Sequence, residues 1–319
     1  MFPARPHLLV VFLLAASRHA LKVAAPVKQP PPLDPRGTIP WWRRYCSAVD
    51  HSSAAPAGLD PTVPHPARRY NYWLGGKDHF AADRASGDEL EKHFPKVRAG
   101  AIANRALLGR ATRFLAEEAG IRQFLDIGTG LPTANNTHEV AQRIAPEARI
   151  VYVDNDPLVM VHARALLNSS PAGRTAYLEK DLNQPQSILQ DPMLLETLDL
   201  DEPVGLMLIA VLHFVHGHGA ARPIVRELLD ALPSGSYLVA THATSDFGTP
   251  EQQALYQQLV ETGRSDVWTR PQDEFAALFD NLELVEPGIV PASEWRPGPG
   301  DEIPPRSDIN VWTAVGRKP

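Results

Sequence analysis

The sequence predicts a doubly wound α/β domain: a mostly parallel sheet with helices on both faces, finished by an antiparallel strand. Three observations predict it. From Phe124 onward, short apolar runs rich in β-branched residues alternate with helical periodicities, the pattern of successive βα units. The first run ends in Gly128-Thr129-Gly130, a turn that lets backbone approach a ligand closely. The last two runs, 282–290 and 309–317, have no helix between them, so they must pair antiparallel.

Before the sheet lies a different composition. Residues 8–16, LLVVFLLAA, form an apolar run behind Arg5 that suits a signal-peptide h-region and is too short to span a bilayer. Ser17 to Asp60 contains PVKQPPPLDP and no periodicity, and 10 of the chain's 31 prolines precede residue 63, which reads as disorder. Residues 1–61 are therefore set aside as a Pro-rich, disordered N-terminal extension. Three readings of it stay open: a nonfunctional or over-extended start, a targeting segment, or a partner-binding arm. The domain is expected over 62–319, with a helical N-terminal cap over 62–120, where Asp88 to Gly120 is helical in pattern, and the sheet core over 121–319.

Within the core, FLDI (124–127) is the first strand and RIVYVDND (149–156) the second, with NNTHEVAQRIA as a helix between them. PLVMVHARALLN follows as a helix with Pro157 in its first turn, capped by Asp156. TAYLEKDL (175–182) is the third strand. VGLMLIAVLHF (204–214), almost wholly apolar, reads as a central strand buried on both faces. Arg222 to Leu232 is an amphipathic helix, and SYLVATHAT (236–244) is the fifth strand. Helical segments near 251–262 and 272–279 precede LELVEPGIV (282–290) and INVWTAVGR (309–317), joined by the Pro/Gly-rich loop 291–308. The count is a seven-stranded sheet.

Composition narrows the function. A hydrophobic content of 44% with 21% charged residues is that of a globular protein, and the single cysteine, Cys46, rules out an internal disulfide framework or a cysteine-cluster zinc site. No metal is assigned. Net charge is −6, yet residues 1–62 hold seven Lys and Arg against three Asp and Glu, leaving 24 basic against 34 acidic residues beyond. So acidic a domain is a poor general binder of polyanions, so nucleic acid is not an expected partner. No membrane partner is expected either. The expected compartment is the cytoplasm, with export left open by the short apolar run; oligomeric state is not legible.

In doubly wound sheets, ligands sit beyond the carboxyl ends of the strands, beside the switch point. A dinucleotide there would need G-x-G-x-x-G running into the helix, so that amides grip a pyrophosphate. This chain offers G-T-G-L-P-T-A: Pro132 has no amide and the third glycine is missing. Acid-x-Gly-x-Gly after strand one, with an acid ending strand two, suits S-adenosyl-L-methionine, which has a ribose diol for a carboxylate and no pyrophosphate. Asp126, Gly128, Thr129 and Gly130 are the expected wall for the amino-acid end, with the glycine amides as donors. Asp154 and Asn155 fall to the ribose, Asp181 and Leu182 to the adenine, and Ala210, on strand four, is a further cofactor-binding candidate.

PHPARRYNYWLGGKDHFAADR (64–84), DIGTGLPTANNTHEVAQ, VYVDNDP, AVLHFV and PGIVPASEWRP together resemble, in order and spacing, the actinobacterial S-adenosyl methyltransferase family, over about residues 58–317. The resemblance implies a Rossmann-like class I methyltransferase fold and S-adenosylmethionine binding, without an acceptor. The expected activity is methylation of O or N of a small-molecule acceptor; a cofactor-binding regulatory or scaffold protein without catalysis is the alternative. In the segment 70–80, aromatic residues surround Gly75-Gly76-Lys77. Two readings stand: a loop anchored by core aromatics, or a lid hinged at Gly75-Gly76 that brings Tyr70, Tyr72 and Lys77 onto the sulfonium. If the acceptor is a hydroxyl, His213 and then Tyr72 are the candidate bases, although His213 also fits a core histidine. The Trp295-Arg296 pair is a candidate wall of the acceptor pocket or a surface pair.

Overall fold

A computed structural model describes residues 59–166, 169–301 and 303–319. The Pro-rich extension as far as residue 58, with its apolar run, lies outside the described residues. Three helices come first: α1 (Pro66–Trp73), α2 (Ala81–His93) and α3 (Val97–Glu117). Leu107, Leu108, Ala111, Phe114 and Leu115 of α3 recur at helical spacing and are all buried, so that one face of the helix seats on the sheet.

The core then alternates β1 (Gln123–Ile127), α4 (Thr137–Ile144), β2 (Arg149–Asp154), α5 (Pro157–Leu166) and β3 (Arg174–Glu179). Two short helices follow, α6 (Pro185–Leu189) and α7 (Pro192–Thr197), then β4 (Gly205–Leu208), α8 (Ala221–Asp230) and β5 (Tyr237–Ala243). Helix starts carry the caps their sequences suggest. Asn136 and Glu139 form a capping box on α4, Thr249 and Gln252 another on α9 (Pro250–Glu261), and Asp156 Oδ1 accepts from the Leu158 amide at α5.

The strand order is β3-β2-β1-β4-β5-β8-β6, where β6 is Glu283–Leu284 and β8 is Val311–Arg317; β7 (Val290–Pro291) also pairs with β8. Strands β1 to β5 are parallel, and β1 pairs both β2 and β4, so the order reverses there and opens the switch-point crevice. The antiparallel β8 pairs β5 over its whole length, from Tyr237↔Arg317 to Ala243↔Val311. Side chains alternate across the sheet: Leu125, Val151 and Leu206 join one apolar layer, Phe124, Ile150 and Met207 the other. Each such fully buried side chain contributes about 1.5–3 kcal/mol.

The α/β class, the parallel order and the antiparallel finish agree with the sequence expectation. The strand count does not: there are eight. The expected run 282–290 breaks into β6 and β7, because Pro287 offers no N–H and Gly288 turns the chain at φ +81°. The expected long fourth strand stops at Leu208, where Ala210 takes a left-handed φ of 56° and residues Leu212–Phe214 coil into a 3-10 turn. Among the described residues, no helix is long and apolar enough to cross a membrane.

Candidate active site

The carboxyl ends of the strands open into one cavity of about 580 Å³, within the range that buries a drug-sized ligand. Helices α1 and α3 roof it with Arg69, Tyr70, Trp73, Ala101, Asn104 and Arg105. Of the residues the sequence singles out, Tyr70, Asp126, Gly128, Thr129, Gly130, Asp154, Asn155, Asp181, Leu182, Ala210 and His213 all line it.

The glycine turn is built differently from the expectation. The amides of Gly128 and Thr129 donate to Val153 O at 2.8 and 3.2 Å, and the Gly130 amide donates to Asp154 Oδ2 at 2.8 Å. These donors tie the end of β1 to the end of β2 and are not free for a ligand. What the glycines provide is room. Gly130 (φ +66°) has open space where a Cβ would stand, whereas a Cβ on Gly128 would lie 2.4 Å from Val211.

Asp126 is buried and accepts from Thr137 Oγ1 at 2.6 Å. Burial raises its carboxyl to about 6, against the Thr137 hydrogen bond and the nearby Arg105. Asp154 is also raised by burial, and its Oδ1 accepts from the Asp156 amide at 2.9 Å. Asp181 accepts from the Asn183 amide at 2.9 Å and stays partly exposed at the cavity edge.

Arg105 escaped the sequence reading. Its Nη2 donates to Ala134 O and Asn136 Oδ1, both at 3.0 Å, while its Nε is buried with no partner. Among the described Arg and Lys residues that line the cavity, it alone has no ion pair: Arg69 pairs with Asp266, Lys96 with Asp308 and Lys180 with Asp191. Asp126 is near enough to influence it electrostatically without bonding it. A guanidinium without an ion pair, beside a buried carboxylate, fits a zwitterion, such as the amino-acid end of S-adenosylmethionine. No sequence signal separates Arg105 from its helical neighbours, since only the tertiary distances reveal which arginine lacks a partner.

His213 sits on the 3-10 turn after β4. Burial, with Arg69 and Arg270 nearby, lowers its pKa to about 3, so the imidazole is neutral. The turn is held by Arg270, itself fully buried, which donates to Leu212 O at 3.2 Å and to Val215 O and Gly217 O at 2.9 Å, and pairs with Glu274 at 2.8 Å. Ala210, in its left-handed conformation, donates its amide to Thr241 Oγ1 at 2.8 Å. Backbone strain of that kind persists where the surroundings fix it, as they do at ligand sites.

Three of the cofactor and catalytic candidates are not brought to the cavity. Tyr72 points its hydroxyl at Asp88, 2.6 Å away, and Arg98 covers its ring at 5.0 Å, so it is committed to packing α1 against α2 and α3. Gly76 lies on Asn71, whose side chain is 2.4 Å from a Cβ placed there and accepts from the Asp78 amide. Lys77 is exposed beside it. The segment is a packed turn between helices, with Tyr70 alone of the group facing the cavity; its hydroxyl donates to Ala101 O at 2.9 Å and accepts from Asn104. Trp295 also departs from the pocket reading. It is fully buried against Phe114, and Arg110 donates to its carbonyl, so the pair anchors α3 rather than lining the cavity.

A parallel sheet of this order with an antiparallel strand beside β5, acids at three strand ends and a glycine turn over the crevice define a class I methyltransferase. The model of the S-adenosyl methyltransferase family matches residues 52–319, and the chain belongs to that family. Two solved structures are similar over nearly their whole length. A DUF574 family protein from Streptomyces avermitilis MA-4680 is 46% identical with a TM-score of 0.76, the match covering 82% of this chain and 99% of that one. A candidate methyltransferase from Thermobifida fusca YX is 42% identical with a TM-score of 0.75, covering 84% of this chain and 99% of that one. No curated protein matches. The protein is an S-adenosylmethionine-dependent methyltransferase.

Proposed function

We propose that this enzyme methylates O or N of a small molecule held in the same cavity as its cofactor. The observation that carries the reading is the shape of the site: one cavity runs from the acids at the ends of β1 to β3 to aromatic walls over β4, β5 and β8, under a roof of α1 and α3. A compact acceptor fits such a space better than a polymer does, and the acidic surface disfavours nucleic acid.

Bound S-adenosylmethionine supplies an electrophilic methyl group on a sulfonium. In the proposed pose, Arg105 holds the tail carboxylate, with Asp126 opposite the ammonium. Asp154 and Asn155 take the ribose hydroxyls, and Asp181 takes the adenine amino group over Leu182. Gly128, Thr129 and Gly130 leave space for the chain between them. The fold then contributes alignment and dryness: Ala210 and the 3-10 turn set where the acceptor stops, and the helical roof excludes water. Residues 62–120 thus act as a cap over a core of 121–319.

The test is where the label goes. The enzyme is incubated with S-adenosylmethionine tritiated on the methyl group and with an extract of the source cells, which is then fractionated by size. Label in a small metabolite that separates from unreacted S-adenosylmethionine, and that appears only when the enzyme is added, is expected. Enzyme-dependent transfer of label only to protein or nucleic acid would overturn the small-molecule reading.

A further inference from the structure

The two halves of the cavity differ in chemistry. The half over β1 to β3 carries the acids and Arg105, which has no ion pair. The half over β4, β5 and β8 is walled by Phe94, Phe214, Phe247, Tyr256, Val267 and Val311. Its charges are closed on one another: Arg69 with Asp266 at 2.6 Å, and Lys96 with Asp308 at 2.7 Å. The hydroxyl of Tyr256 is bonded to Val267 O and receives the Thr269 amide at 2.6 Å, so its ring, not its oxygen, is on offer. Among the described residues, this half presents mainly aromatic and aliphatic surface, beside neutral polar residues such as Gln252 and Asn310, with no unpaired charge.

Of the polar atoms there that lack a partner, which include Asn310 Oδ1 and Arg69 Nε, those of His213 are the ones that can serve as a base. Neither ring nitrogen of His213 has a hydrogen-bond partner; Nδ1 is buried, which leaves Nε2 as the nitrogen a ligand can reach. The neighbouring His242 is in the opposite condition, with Nδ1 on Ala243 O at 2.8 Å and Nε2 on Arg270 at 2.6 Å. Arg270 fixes the turn that carries His213, so the imidazole is held in place without being used up. A charged acceptor would lose its hydration here with no counter-ion to replace it, whereas a flat neutral ring finds aromatic faces to stack on.

We propose that this half of the cavity takes an uncharged, planar hydroxyaromatic acceptor whose hydroxyl donates to Nε2 of His213 and is the atom methylated. The proposal rests on the small-molecule reading above and names its substrate class. In the transfer, a lone pair on the hydroxyl oxygen forms the O–CH3 bond as the C–S bond breaks. Sulfur keeps that bonding pair and becomes a neutral thioether. The hydroxyl proton passes to Nε2 and from there to water. A weakly basic imidazole suffices, because an aromatic oxygen becomes far more acidic as its new bond to carbon forms.

The experiment titrates the full chain, saturated with S-adenosylhomocysteine, with 2-naphthol, 2-naphthoate and 2-naphthylmethylamine, the last being cationic at neutral pH. The naphthol should bind at least about tenfold more tightly than either charged analogue, and His213→Phe should weaken it about tenfold while keeping an aromatic wall. With S-adenosylmethionine in place of the product, 2-methoxynaphthalene should form. No binding of the naphthol, equal or tighter binding of a charged analogue, or unchanged naphthol affinity in His213→Phe would each overturn the proposal. The wild-type ranking decides the matter if the variant does not fold. Label found only in macromolecules in the partition experiment would instead sink the reading beneath it.

Discussion

Arg105 and Asp126 face one cavity with opposite charges and without touching, which leaves each available to a ligand that carries both signs. If the cofactor tail lies between them, Arg105→Ala should weaken S-adenosylhomocysteine by about 1.5–3 kcal/mol, the worth of hydrogen bonds to a charged group. Binding of 5′-methylthioadenosine, which lacks that tail, should be unchanged; calorimetry with the two ligands separates a tail contact from general damage. Asp126 adds a pH dependence. Its carboxyl is raised to about 6 in the folded chain, so protonation below that value removes the partner of the ammonium. Affinity for S-adenosylhomocysteine should therefore fall as pH drops through 6, approaching about tenfold per unit, and Asp126→Asn should flatten the profile at the weak end. The effect on folding has the reverse sign. A raised acid favours the folded state while it is protonated, and that contribution is lost as pH rises through about 6. The acids were legible in the sequence because each stands at or just beyond a strand end, and strand ends are where doubly wound sheets bind ligands. Arg105 was not, because Arg98, Arg105, Arg110 and Arg113 look alike along α3 and their partners come from elsewhere in the chain.

At the scale of the element, the turn between α1 and α2 shows where sequence reasoning runs out. Two adjacent glycines suggest a hinge, yet each serves a fixed geometry: Gly75 takes φ +74°, and Gly76 makes space for the Asn71 amide group. A methyl group at Gly76 cannot fit without moving Asn71, which also holds the Asp78 amide. Gly76→Ala should cost about 1–3 kcal/mol of stability in urea, the range for overpacking a tight site. Hydrogen exchange over residues 68–84 should be nearly the same with and without S-adenosylhomocysteine; strong ligand-dependent protection there would restore the hinge. The parallel strands were readable because burial on both faces leaves continuous apolar runs. The split of β6 from β7 was not, since Leu282, Leu284, Val285 and Ile289 read as one strand while Pro287 and Gly288 bend the backbone between them.

For the whole molecule, the proposed boundary near residue 62 has a direct check. A chain beginning at Leu59 should melt at the same temperature as the full chain and bind S-adenosylhomocysteine equally well; a midpoint lower by several degrees would show that the preceding residues pack on the domain. The other end behaves differently, because β8 lies inside the sheet, between β5 and β6, and carries Val311 into the acceptor half of the cavity. Strands β1 to β5 can align as they are made, but the sheet closes only when this last described strand arrives. A chain that stops short of Val311 leaves β5, with Leu238, Val239 and Ala240 fully buried in the native state, as a bare apolar edge open to other chains. A copy truncated before Val311 should therefore aggregate or be degraded faster than the full chain, which a comparison of the soluble yields of the two checks.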